Sequence, residues 1–395
     1  MRRFSRWIGL LVILLLTMPV MAQARTVYPL STAAHDGRMV IVDAKGQRVL
    51  LKSVNWFGGE SGEFVVGGLD RQPLKHYARL IKKGGFNSVR LPWSNELVER
   101  NPVVGDDYLS ANPQLKGKRA LEVFDAVVKA LTDEGLMVII DNHRSRGDWC
   151  CDATHGDGLW WTPDYPEEAW LRDLAFMAKR YARNPRVIGS ELRNEIRRDD
   201  TLGLKPTWGG GEAKTDWKAA AEKGAEAVLK VAPHHLIFIG TINYQAELTH
   251  VRDHPLRLSR PEKLVWVAHD YAWNHPEARL KDPAAFAAEA YRRWGFAREA
   301  GHPYSAPVYL SEFGGCVHTE GLEKPCPADR YAFVKAFVTY LKTEDVDWAW
   351  WPMNGTQSAG YNRTRGAIEG YGLLKADWSD WVDAKLVEDL TGVKP

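Results

Sequence analysis

Net charge is nearly absent from this chain: 52 basic residues stand against 50 acidic ones, a formal +2 over 395 residues. That balance supplies no basic field of the kind that gathers nucleic acid. Cysteine is scarce as well, with four residues and no CxxC pair, and HExxH does not occur, so the usual zinc patterns are missing. No GxGxxG follows the first predicted strand, and GGGEAK at 209–214 is not a phosphate loop. The sequence therefore predicts no cofactor and no metal. Long apolar runs are confined to the N-terminus. With 45% hydrophobic and 26% charged residues, the composition excludes disorder, collagen-like sequence and a polytopic membrane protein.

What the chain has in excess is tryptophan: 17, against 14 tyrosines and 12 phenylalanines. Indole supplies core volume, and it also supplies flat faces for ligands.

Residues 1–24 have the order of a signal peptide: a basic start, MRRFSR, then the apolar IGLLVILLL, then Ala22-Gln23-Ala24. The apolar run is short for a membrane span and Pro19 interrupts it, so no stable membrane association is expected after cleavage. Cleavage removes Arg2, Arg3 and Arg6 and no acidic residue, taking the formal charge from +2 to −1. The expected product is a secreted or periplasmic monomer, with 25–395 as one domain. In an exported chain four cysteines suggest disulfides. Cys316 and Cys326 lie ten positions apart in a loop and can close it locally. Cys150 and Cys151 are adjacent, about 3.8 Å apart at Cα across a trans peptide, below the usual disulfide range of about 4.4–6.8 Å. The reading pairs Cys316 with Cys326 and leaves Cys150 and Cys151 either vicinal or reduced.

After the leader, MVIVDAKGQRVLLKSVNW predicts a β-hairpin turning at 43–46. Eight short apolar segments then alternate with helical patterns: 51–56, 86–92, 136–143, 187–195, 235–241, 263–271, 307–314 and 347–354. In one helical pattern Trp170, Leu171, Leu174, Ala178 and Tyr181 share a face; in another Phe333, Val334, Phe337, Val338 and Leu341 do. Near-continuous apolar strands alternating with amphipathic helices predict an α/β fold, a (β/α)8 TIM barrel with an N-terminal hairpin and enlarged βα loops. A doubly wound open sheet is the alternative.

Most of these strands end in a polar residue: Asn55, Arg90, His143, Asn194-Glu195, His269 with Tyr271, Glu312 and Asn354. In a TIM barrel all such ends open on one face, where reaction sites are built. Glu195 and Glu312, facing each other across that mouth, are the minimum machinery for cleaving a glycosidic bond. One carboxyl must stay protonated to donate to the leaving oxygen, and the other must stay ionised to attack the anomeric carbon. Arg90 can hold a carboxylate ionised with two hydrogen bonds. Asn194, His143, His269 and Tyr271 offer donors and acceptors around a sugar ring. Glu191 has no evident partner, and Asp199 and Asp200 read as solvated loop charges. Trp56, Trp93, Trp149, Trp160, Trp161, Trp208, Trp273, Trp350 and Trp351 all fall at strand ends or in the loops after them, and about half are expected to pack beneath loops. Trp350 and Trp351 point in opposite directions, so only one faces a pocket.

The segments VRLPW, DNHRS, IGSELRNEIR, AHDY, LSEFGG and WAWWPMNG together resemble glycoside hydrolase family 5, the cellulase family, over about residues 50–380. The resemblance implies a (β/α)8 barrel and a retaining double displacement without cofactor. It makes Glu195 the acid/base and Glu312 the nucleophile, with Arg90 supporting Glu312. It places His143, Asn194, His269 and Tyr271 around the site and Trp351 under the sugar beside the scissile bond; Trp56 is counted among the binding residues. Ile196 stands where the family usually has proline, and 355–373 is longer than in many simple cellulases. With the WCC segment, that loop is similar to an offshoot of the family whose substrates are less uniform. The expected activity is endo-acting hydrolysis of β-1,4-glucan, with a β-linked oligo- or polysaccharide as partner. An exo-acting β-glucosidase or a hydrolase of another β-glycan (mannan, a glycolipid) is the runner-up, and a non-catalytic polysaccharide-binding barrel the alternative of another class.

Overall fold

The computed structural model describes residues 26–392; the expected leader, 1–24, lies outside them. An antiparallel hairpin, β1 (Ser31–His35) and β2 (Arg38–Val42), comes first. It turns at Asp36 and Gly37, both at positive φ, and not at the predicted 43–46. An Asp-Gly pair suits the two-residue hairpin turn, whereas 43–46 makes only a tight turn closed by a single bridge between Val42 and Arg48.

The next eight strands form a closed parallel barrel: β3 (Lys52–Asn55), β4 (Ser88–Ser94), β5 (Met137–Arg144), β6 (Val187–Glu191), β7 (Leu236–Gly240), β8 (Leu264–Asp270), β9 (Val308–Phe313) and β10 (Asp347–Trp350). Each pairs with its sequence neighbour, and β10 closes on β3. The helices are α1 (Leu74–Lys83), α2 (Asn95–Arg100), α3 (Ala120–Asp133), α4 (Glu167–Tyr181), α5 (Trp217–Val231), α6 (Glu277–Leu280), α7 (Pro283–Arg293), α8 (Ala328–Leu341) and α9 (Ala384–Thr391). Between β7 and β8 the described chain forms 3-10 turns and no α-helix, so one of the eight units is incomplete. The predicted apolar stripes are buried on α4 and α8, apart from a half-buried Leu171. Two helix tryptophans do more than pack. Trp170 Nε1 donates to the Leu192 carbonyl and Trp217 Nε1 to that of Gly240, fastening each helix to a strand end.

Alternation along the strands sorts the barrel interior by height. Met137 and Ile139 of β5, Val265 and Val267 of β8, and Leu236, Phe238, Tyr309 and Ala349 form the apolar floor. Leu30 and Ile41 from the N-terminal hairpin region plug that floor from below. Further along the same faces stand Asp141 and His143 on β5 and His269 on β8. The apolar half therefore fixes the inward face on which the polar half projects at the mouth. Among the described residues no helix is long and apolar enough to cross a membrane.

Candidate active site

Arg90 is the hub of the mouth. Its guanidinium is fully buried and meets three carboxylates: Glu191 through Nε and Nη2 (2.7 and 2.9 Å), Glu312 through Nη1 (2.8 Å) and Asp141 through Nη2 (3.1 Å). It also donates to Asn55 Oδ1 at 3.1 Å and Asn194 Oδ1 at 2.8 Å. Burial works against its charge, but the attraction of Asp141, Glu191 and Glu312 outweighs burial and holds it protonated.

Glu312 sits at a β-bulge. The pairing of β8 with β9 runs from Ala268–Leu310 to His269–Glu312, leaving Ser311 as the extra residue. Both residues of the bulge contact the same imidazole: Ser311 Oγ lies 2.9 Å from His269 Nε2, and Glu312 Oε2 lies 3.5 Å from His269 Nδ1. Glu312 accepts from Arg90 at one oxygen and from Tyr271 at the other, at 2.9 Å. Glu195 stands opposite, 2.9 Å from His269 Nδ1. One oxygen of each carboxyl and that nitrogen all lie within 4.8 Å of one another.

Glu195 is not on a strand. The ladder of β6 stops at Glu191, and Glu195 follows in the left-handed region with φ 43°. Its amide donates to Gln245 Oε1 at 3.0 Å, and Arg197 Nη1 donates to its carbonyl at 2.9 Å, so the turn is fixed from both sides. Burial pushes the Glu195 carboxyl up to about 7, against the pull of Arg197 and Arg90. It pushes Glu312 up to about 7 as well, against His269 and Arg90. Arg90 and Tyr271 both donate to Glu312, whereas among the described residues the Glu195 side chain has only the His269 imidazole beside it, so the two carboxyls are unequally supported.

A cavity of about 620 Å³ opens over the pair, with Glu195, Glu312, His143, Asn194, Tyr271 and Trp351 in its wall. His269 and Arg90 lie just beneath, 1% and 0% exposed. His143 gives Nδ1 to Asp141 Oδ2 at 2.6 Å and stacks on Trp351 with centroids 5.3 Å apart. Burial, then the charge of Arg90, keeps it neutral. Its Nε2 lies 3.3 Å from Asn194 Nδ2, which also meets the sulfurs of Cys151 at 3.5 Å and Cys150 at 3.7 Å.

Several sequence expectations change here. Glu191, read as unpaired, is the bidentate partner of Arg90. Asp199, read as solvated, is buried and accepts from the amides of Gly158 and Leu202, while Asp200 is exposed as expected. Trp56 is fully buried away from the cavity, donating to the Gly67 carbonyl and packing on Tyr77. Of the nine tryptophans placed near the strand ends, Trp149, Trp273 and Trp351 line the cavity, and Trp350 packs in the core. Asn55, named as a polar strand end, joins the network by accepting from Arg90, and Asp141 and Gln245 complete it without having been singled out. Asp141 carried a signal, two residues before His143 on an inward face.

The sulfurs of Cys316 and Cys326 lie side by side, with Cα atoms 6.3 Å apart, and so do those of Cys150 and Cys151. Among the described residues two groups have the composition of a metal-ligand set: His143 with Cys150 and Cys151, and Glu195 with His269 and Glu312. In the first, the donors already receive the Asn194 amide; in the second they are bonded to one another, to Arg90 and to Tyr271.

A family model described as cellulase (glycosyl hydrolase family 5) matches residues 42–357. An endoglucanase of Paenibacillus polymyxa is 28% identical over 371 residues, covering 89% of this chain and 84% of the relative. The major extracellular endoglucanase of Xanthomonas campestris is 30% identical over 357 residues, 86% of this chain and 66% of that protein. Its solved catalytic domain superposes with a TM-score of 0.73, at 28% identity over 91% of this chain and 99% of the domain. A cellotetraose complex of an endocellulase from Pyrococcus horikoshii gives a TM-score of 0.75 at 26% identity, over 93% and 100% of the two chains.

Proposed function

As a member of glycosyl hydrolase family 5, the chain is a glycoside hydrolase, and we propose that it cuts β-1,4-glucan internally by double displacement between Glu312 and Glu195. The observation that carries this reading is the unequal dressing of two facing carboxyls. Glu312 receives hydrogen bonds from Arg90 and Tyr271; Glu195 faces it across His269, with no lysine or arginine bonded to its carboxyl among the described residues. Glu312 attacks the anomeric carbon as Glu195 protonates the departing oxygen. A water deprotonated by Glu195 then releases the glycosyl–enzyme with net retention. The close approach of the carboxyls supports a retaining arrangement, since an inverting enzyme keeps them about 6.5–9.5 Å apart to admit a water. Trp351 is the platform under the sugar that is attacked, with His143 and Asn194 reading its hydroxyls. The relatives favour glucan: two are endoglucanases by name, and one solved endocellulase holds cellotetraose.

Export fits the same reading: a leader at 1–24, then 25–395 acting as a secreted or periplasmic monomer, with Cys316–Cys326 and Cys150–Cys151 as disulfides. A panel of soluble β-glucans, mannan and aryl glycosides tests the assignment. Cello-oligosaccharides of mixed length are the expected early products, and glucose as the sole early product would overturn internal cleavage.

The elevated Glu195 carboxyl sets a pH limit. The group is protonated below about 7 and loses its proton as pH rises through that value, so kcat/KM on cellotetraose falls on the alkaline side. With an aryl glycoside whose leaving group departs without a proton, Glu195→Gln should form the glycosyl–enzyme in a burst and then stall, with the alkaline limb gone from the burst rate. A limb that persists in this variant assigns the proton to another group.

A further inference from the structure

The long segment 355–373 after β10 has no part in the double displacement, yet it reaches across the cleft. Ala359 N donates to Glu63 Oε1 at 2.9 Å, on the loop after β3, and Tyr361 N to Asp148 Oδ1 at 3.2 Å, on the loop after β5. The Tyr361 ring meets His155 at 4.2 Å, and a Cβ at Gly360 would lie 2.6 Å from Trp149 Cβ, so the two loops touch along their length. Within itself the segment is held by a bridge between Thr356 and Ile368 and by Gln357 N donating to the Ala367 carbonyl. Arg363 and Glu369 take no part in these contacts.

The segment nevertheless places a charged pair in the wall of the catalytic cavity. Arg363 lies with its guanidinium carbon 3.7 Å from the Trp149 ring centroid and bonds to Glu369, and both line the cavity beside Trp149 and Trp351. Arg363 Nε is buried and has no hydrogen-bond partner among the described residues. An ion pair kept out of water is costly, and an unused N–H beside it adds to the cost, unless a ligand's oxygens complete the set.

The barrel gives this wall a direction, which rests on the roles proposed above for Glu195, Glu312 and Trp351. Glu195 follows β6 and Glu312 ends β9. On one side of the line between them lie the loops after β7 and β8, with Asn243, Tyr244 and Trp273; on the other lie Trp351, Trp149 and Arg363. A sugar on Trp351 carries the attacked carbon, so the leaving part departs toward Tyr244 and Trp273. The preceding unit of the chain then lies toward Trp149 and Arg363. We propose that Arg363 and Glu369, braced on Trp149, form a specificity subsite for the neutral sugar unit that precedes the one on Trp351. Arg363 donates to a hydroxyl oxygen there and Glu369 accepts a hydroxyl proton. The pair matches an uncharged polyol, whereas a uronate would face the Glu369 carboxylate.

The test compares cellotetraose, which reaches this wall, with an aryl β-glucoside, which fills only the place on Trp351. Arg363→Met keeps an apolar stem on Trp149 and removes the donors. It should lower the cellotetraose to aryl-glucoside ratio of kcat/KM by at least about tenfold, the size of one lost charge-assisted hydrogen bond. Arg363→Lys should not restore the ratio, because a point charge does not reproduce the planar fork. Glu369→Gln should lower the ratio in the same direction, and it serves if Arg363→Met does not fold. A ratio unchanged in the folded variants, whether both activities fall together or neither falls, overturns the subsite and leaves the pair as loop structure. Failure of the wild type to cleave cellotetraose would instead overturn the glucan reading.

Discussion

Glu312→Gln should remove turnover, lowering kcat on cellotetraose by at least about 10⁴-fold, the scale on which loss of a covalent nucleophile is felt. Glutamine keeps the size and one carbonyl oxygen for Arg90, and its amide nitrogen can donate to the Tyr271 hydroxyl in place of accepting from it, so the site changes little in shape. It takes away the charge that attacks the anomeric carbon. Thermal stability should stay close to wild type, because burial already disfavours the ionised form of this carboxyl. The smaller variants separate the two roles. Glu312→Gly with azide and an aryl β-glucoside should give the α-glycosyl azide, since azide enters the emptied face directly. Glu195→Ala should give the β-glycosyl azide, since azide there intercepts the covalent intermediate. The reverse pattern would exchange the two assignments, and a folded Glu312→Gln enzyme with wild-type turnover would remove Glu312 from the mechanism.

Arg90→Met should be the most destabilising single change at the barrel mouth, costing about 3–5 kcal/mol. The loss is not that of one salt bridge. Asp141, Glu191 and Glu312 share this single guanidinium and are all buried, so its removal leaves three carboxyls without their common cation. The sign of the pH dependence follows. Even beside Arg90, burial holds Asp141 up to about 6 and raises Glu191 above the ordinary carboxylate value. In the variant these folded-state values rise further, while the unfolded values stay near 4. Below the unfolded value both states are protonated and no penalty arises; the penalty grows as pH rises from there through the folded values. Denaturant midpoints should therefore show a deficit that is largest near pH 8 and shrinks toward pH 5. A deficit independent of pH would mean that Arg90 acts through packing alone. Activity should also fall, because Glu312 loses one of the two donors that favour its ionised form.

Much of this network was legible in the sequence, and the parts that were not have physical causes. The barrel could be read because its strands are apolar on both faces, and the helix stripes on α4 and α8 repeat at helical spacing. Arg90, Glu195 and Glu312 stood out as ionisable residues at the ends of such strands. Glu191 was missed because its partner lies two strands away around the barrel, and strand order alone does not give the height at which side chains meet. Asp199 was misjudged because a carboxylate that caps loop amides looks, in sequence, like any loop aspartate. Trp56 was misplaced for a related reason: an indole at a strand end can turn under the following loop, and the loop after β3 folds over it. The turn of the N-terminal hairpin was misplaced from Asp36-Gly37 to 43–46 because both stretches carry turn chemistry. The left-handed Glu195 had no sequence signal; its turn is held by Gln245 from a distant loop and by Arg197 two residues on.

The central claim is that Glu312 and Glu195 act in two displacements on a β-1,4-glucan. Proton NMR of the first seconds of cellotetraose hydrolysis tests it most directly, because the anomeric configuration at the new reducing end is read before mutarotation. Retention predicts that the β-anomer appears first and then relaxes toward the equilibrium mixture. The α-anomer appearing first would contradict the double displacement, and with it the role given to Glu312.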